Sequence, residues 1–69
     1  MSTADDMLAA LNAGNLESAL DGALGSLDKN GLTELMNEME AKSAGITDQT
    51  QRHLFKNGIA SLKMFIDTM

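Results

Sequence analysis

The sequence predicts an all-α fold, and three observations predict it. Pro is absent, so no helix is broken by ring geometry, and strand-favouring residues are scarce, with no Val and with Ile only at positions 46, 59 and 66. Ala, Leu, Met, Glu and Lys, all good helix formers, dominate the 69 residues. Towards the C-terminus the apolar residues Phe55, Ile59, Leu62, Ile66 and Met69 recur at intervals of 4, 3, 4 and 3, which is one stripe along a helix. The expected layout is a single small helical domain over residues 1–69. An N-terminal helical arm covers 1–30 and a helical hairpin covers 31–69, with a long C-terminal amphipathic helix facing Leu32–Ala44.

Each element has its own local signals. Ser2 and Thr3 ahead of Asp5 and Asp6 suit a helix N-terminus, because short polar side chains satisfy free N–H groups and carboxylates favour the positive end of the dipole. The first helix is expected from about residue 3 to Ala13, with Met7, Leu8 and Leu11 on one side and Gly14 ending it. Asn15 is placed to cap the next segment, where Leu16, Leu20, Leu24 and Leu27 repeat at helical spacing. Gly22 and Gly25 fall inside that segment, either weakening it or admitting a neighbouring helix. Asp28-Lys29-Asn30-Gly31 reads as a turn, since Asn-Gly favours positive φ. Leu32, Leu35, Met36 and Met39 then resume the period until Gly45 closes the helix. Thr47 or Asp48 caps the last helix, with Gln51 three residues after Asp48 as a capping-box partner. That helix is expected from about Asp48 to Thr68, with Gly58 interrupting its middle beside the stripe as a point of reduced rigidity.

Composition bounds the function. A chain this short buries only about 60% of its unfolded surface, so its stability is marginal without a staple, a partner or very good helix packing. No Cys is present, which removes disulfides and thiolate metal sites. The net charge of −5 argues against nucleic acid as a partner. Charge is also uneven: residues 1–40 carry eight acids against Lys29, while 41–69 carry Lys42, Arg52, Lys56 and Lys63 against Asp48 and Asp67. The two halves are either solvated faces or mutually attractive at short range. No apolar run approaches the roughly 18 residues that span a bilayer. The N-terminus has no basic residue and does not resemble a cleavable signal. The chain is expected to be made in the cytoplasm, and any export would proceed without such a signal.

No catalytic, cofactor or metal constellation emerges. A calcium loop starting at Asp28 would place Leu32 at its fifth position and Met39 at its twelfth, so the pattern fails. Glu34 and Glu38 share a helical face with Glu40 alongside, but the Glu-x-x-His partner of a di-metal site is missing around His53. His53 also lacks a nucleophile arranged beside it. No enzyme activity, cofactor or small-molecule substrate is therefore expected. Of the six Met residues, Met36 and Met39 suit the core, whereas Met64 and Met69 suit an adaptable contact surface.

Two families share local features with the chain. Gly31-Leu32-Thr33-Glu34-Leu35 through Glu40-Ala41-Lys42-Ser43-Ala44-Gly45-Ile46 resembles the second helix of an acyl carrier protein, but Gly31 stands where that family carries its phosphopantetheine Ser. Ala23-Leu24-Gly25-Ser26-Leu27-Asp28-Lys29-Asn30 resembles the first helix of a type III secretion needle or pilus subunit running into its loop. Leu54-Phe55-Lys56-Asn57 and Leu62-Lys63-Met64-Phe65-Ile66-Asp67 resemble that family's terminal helix, so the likeness covers roughly residues 23–69. The family's loop usually carries Pro, which this chain lacks, and the matching parts here are several residues further apart. The small cochaperones of needle subunits are similar to this chain to the same degree. The resemblance implies a Cys-free helical subunit that polymerises through its C-terminal helix.

The function expected from the sequence is that of a non-enzymatic structural or interaction subunit. It would assemble with itself or with a protein partner through Leu54, Phe55, Ile59, Leu62, Phe65, Ile66 and Met69. The alternative is a small soluble regulatory, cochaperone-like or phage-type inhibitory protein that caps a target surface. The stripe itself has two readings, packing within the chain or contact with another one.

Overall fold

The computed structural model describes residues 3–69; Met1 and Ser2, the latter one of the two candidate caps, lie outside the described residues. Four helices follow in order: α1 (Ala4–Ala13), α2 (Leu16–Ser26), α3 (Lys29–Ser43) and α4 (Gln49–Asp67). No strand occurs among the described residues, and the fold is all-α.

The helix ends show how the sequence sets the boundaries. Thr3 opens α1 with a reciprocal capping box: Asp6 N–H donates to Thr3 Oγ1 at 3.2 Å and Thr3 N–H donates to Asp6 Oδ2 at 3.1 Å. Gly14 closes α1 in the left-handed region at φ 77, which lets its own N–H reach the Ala10 and Leu11 carbonyls. Asn15 occupies the cap position of α2, but its side chain makes no capping hydrogen bond. The Asp28–Gly31 segment is not the turn expected from Asn-Gly. Asp28 caps α3, accepting from Gly31 N–H at 2.8 Å, and the helix starts at Lys29. A strong cap outweighs the turn preference of the dipeptide, and Gly14 is the one glycine with positive φ. Asp48 caps α4 by accepting from Gln51 N–H at 2.9 Å. The reciprocal half of that capping box is missing, since Gln51 Oε1 is buried without a hydrogen-bond partner.

One core draws on all four helices. Met7 and Leu11 from α1, Leu20 and Ala23 from α2, Leu32, Leu35 and Met39 from α3, and Phe55, Ile59, Leu62 and Ile66 from α4 form a single buried cluster. Residues 1–30 thus contribute to this core. α1 packs on α2, α3 and α4, and α2 packs on α4, while α3 and α4 share the most extensive contact. The physical reason is area: α3 and α4 alone cannot cover the apolar stripe of α4, and α1 and α2 close it off. The radius of gyration is 10.9 Å, close to the about 11 Å expected for a compact chain of this length.

The acidic and basic parts of the chain meet at one point among the described residues. Lys42 Nζ, near the end of α3, lies 2.9 Å from Asp5 Oδ1 in α1. Both side chains are largely exposed, so the pair contributes only about 0.2–1 kcal/mol.

Candidate interaction surface

The two flanks of α4 differ in what they meet. Phe55, Ile59, Leu62 and Ile66 fall on one side of the helix and all are buried in the core. The apolar stripe of the sequence is therefore largely the protein's own interior. Leu54 and Phe65 lie on the neighbouring flank, eleven residues and so about 16 Å apart along one line of the helix. They are exposed, at 50% and 39%, and Met64 and Met69 at 71% and 52%. Of the seven residues expected to form the contact, the structure leaves Leu54, Phe65 and Met69 on the surface. Packing within the chain accounts for Phe55, Ile59, Leu62 and Ile66.

The exposed flank of α4 opens onto a groove against α2. Leu16, Leu20 and Leu24 form the α2 wall; Leu54, Gly58, Leu62 and the polar pair Asn57 and Ser61 form the α4 wall, with Leu11 and Gly14 at one end. The groove encloses about 490 Å³. Leu16 and Leu24 are half-buried, and Leu20 is buried. Gly58 sets how closely the walls approach. A Cβ there would stand 3.1 Å from Leu20 Cδ1 and 3.3 Å from Leu16 Cδ2. Gly58 therefore lies where the leucine side chains of α2 pack on α4. A Cβ at Gly22 or Gly25 would meet no atom of a neighbouring helix within 4 Å, so these two glycines admit no helix.

The groove has a polarity of charge. Glu17 and Asp21, four residues apart on α2, are its charged lining residues, and no Lys or Arg lines it. Both are exposed, and neither forms an ion pair among the described residues. The basic residues of α4, Arg52, Lys56 and Lys63, lie on the opposite flank of the helix, roughly 180° from Leu54 and Phe65.

The other candidate residues assemble nothing. Asp28 is committed to its helix cap. Glu34, Glu38, Glu40 and His53 are exposed. No group of three or more His, Cys, Asp or Glu side chains able to hold a metal ion occurs among the described residues. Among those residues, no helix is long and apolar enough to cross a membrane. A smaller depression between α3 and α4, lined by Glu40, Ser43, Lys56, Ile59 and Ala60, is shallow, and the Ser43 hydroxyl there donates to the Glu40 carbonyl at 2.7 Å.

The groove itself is not legible in the sequence. The Leu16–Leu20–Leu24 spacing signals an apolar side to α2, but nothing in it signals that this side meets Gly58. No protein-family model matches the chain, and no curated protein or solved structure shows significant similarity to it.

Proposed function

We propose that the protein is a non-enzymatic interaction module that docks a protein partner on the flank of α4 carrying Leu54 and Phe65. One observation carries this reading: α4 commits one side to the core yet leaves four large apolar residues, Leu54, Met64, Phe65 and Met69, in water. Leu54 lines the groove and Phe65 follows it on the same line of α4, and an exposed apolar strip beside a groove marks an interaction surface. The reading is closer to the capping protein expected from the sequence than to a filament subunit. Needle-like growth through Phe55, Ile59, Leu62 and Ile66 would require α4 to leave the core in which these four are buried.

Site-specific photo-crosslinking in the native host tests it. A benzophenone side chain at Phe65 is expected to give a discrete covalent adduct, while the same group at exposed Asn37 on α3 gives none. Absence of any adduct from position 65, with the variant folded, would sink the proposal.

A further inference from the structure

We infer that the groove between α2 and α4 receives one amphipathic helix of another protein, with Lys or Arg along the side that faces α2. The inference rests on the docking reading above and specifies the partner's chemistry. Much of the groove lining is apolar, with Leu16, Leu20 and Leu24 on the α2 wall and Leu54 and Leu62 on the α4 wall. Its walls run about 12 Å along α2, from Leu16 to Leu24, which matches two to three turns of a helix. Such a helix inserts apolar residues at i, i+3 or i+4 and i+7. Glu17 and Asp21 then stand on one side only and form no ion pair among the described residues. A partner helix gains by placing basic residues there, and a helix with acids there is repelled, which fixes its direction and rotation.

A second copy of this chain fits the groove poorly. The basic residues of its α4, Arg52, Lys56 and Lys63, lie on the opposite side of that helix from its exposed Leu54 and Phe65, so α4 of a second copy cannot present both to one groove. Two grooves facing each other across a two-fold axis at right angles to the groove would bring two sets of Glu17 and Asp21 together. A small apolar ligand is disfavoured because the groove is open along its length and would leave much of the ligand in water.

The test uses the full chain and two fluorescein-labelled peptides of about 14 residues, long enough to be helical when bound. One has Leu on one face and Lys on the other; its twin replaces Lys by Glu. Fluorescence anisotropy at about 0.15 M salt is expected to show the Lys peptide binding at least about tenfold tighter than the Glu peptide. Amide NMR shifts are expected on Leu16, Leu20, Leu24, Leu54 and Ser61. Glu17→Lys with Asp21→Lys is expected to cost about tenfold or more in Lys-peptide affinity, whereas Glu34→Lys with Glu38→Lys, an identical change of net charge on α3, costs less than about threefold. Ser61→Trp, at an exposed position, is expected to fill the groove and remove binding with the helical circular dichroism unchanged. Equal binding of both peptides, equal losses in the two double variants, or shifts centred on α3 would each overturn the inference. So would sedimentation showing dimers that Phe65→Ser dissolves, or a dodecyl amphiphile displacing the peptide from the same residues. Any of these with a positive crosslink at position 65 leaves the docking function standing, whereas loss of that crosslink removes both.

Discussion

Glycine has opposite meanings at two positions of this chain. In α2, Gly22 faces open space, so a methyl group meets nothing and the backbone entropy of glycine is simply lost on folding. Gly22→Ala is expected to stabilise the protein by about 0.5–1 kcal/mol in urea unfolding. In α4, Gly58 stands against Leu16 and Leu20. There the helix-propensity gain of Ala is offset by crowding, and Gly58→Ala is expected to change stability by less than about 1 kcal/mol. Gly58→Leu has no room and is expected to cost about 1–3 kcal/mol while forcing α2 away from α4. If Gly58→Leu melts at the same urea concentration as the parent, the close crossing is not what holds these helices together. Sequence alone treats both glycines alike, because the cost of Gly in a helix is local while its benefit depends on which atom lies across from it. Capping is more legible: Thr3, Asp28 and Asp48 each accept from the backbone N–H three residues on. Asp28→Ala is expected to cost about 0.5–2 kcal/mol, read from the same urea midpoints.

At the scale of the element, α4 is one helix with two obligations. Phe55, Ile59, Leu62 and Ile66 hold the core, and the adjacent flank holds Leu54 and Phe65 in water. The two sets are expected to separate cleanly by mutation. Phe55→Ala removes a fully buried ring and should cost about 3–5 kcal/mol. That is a large part of the roughly 3–10 kcal/mol available to a domain of this size, and helical circular dichroism is expected to collapse at a much lower urea concentration. Phe65→Ser is expected to shift stability by less than about 1 kcal/mol and to act on binding instead. A variant at position 65 that unfolds the protein would assign Phe65 to the core. The four helical segments and most of the buried stripe are readable because apolar periodicity and cap residues act within one helix. The groove is not, because it depends on pairing between helices. Leu16, Leu20 and Leu24 announce that α2 has an apolar side, and only the folded chain shows that this side meets Gly58 and Leu54 rather than α3.

The whole molecule is held together by one shared core rather than by attraction between its charged halves. A single exposed pair, Lys42 with Asp5, links acid to base among the described residues, and raising the salt concentration is expected to leave stability nearly unchanged. The core is intramolecular, so helicity is expected to stay constant on dilution from about 100 to 1 µM. Loss of helix on dilution would instead show that folding depends on assembly. The carboxylates beside the groove also bear on how copies of the protein treat one another when no partner is present. Glu17 and Asp21 place negative charge along one side of the groove, and the chain as a whole carries −5. Mutual repulsion is then expected to oppose association between free copies of the protein. That protection fades as acid brings the chain towards its isoelectric point near 4.4, where solubility should pass through a minimum and turbidity should appear first.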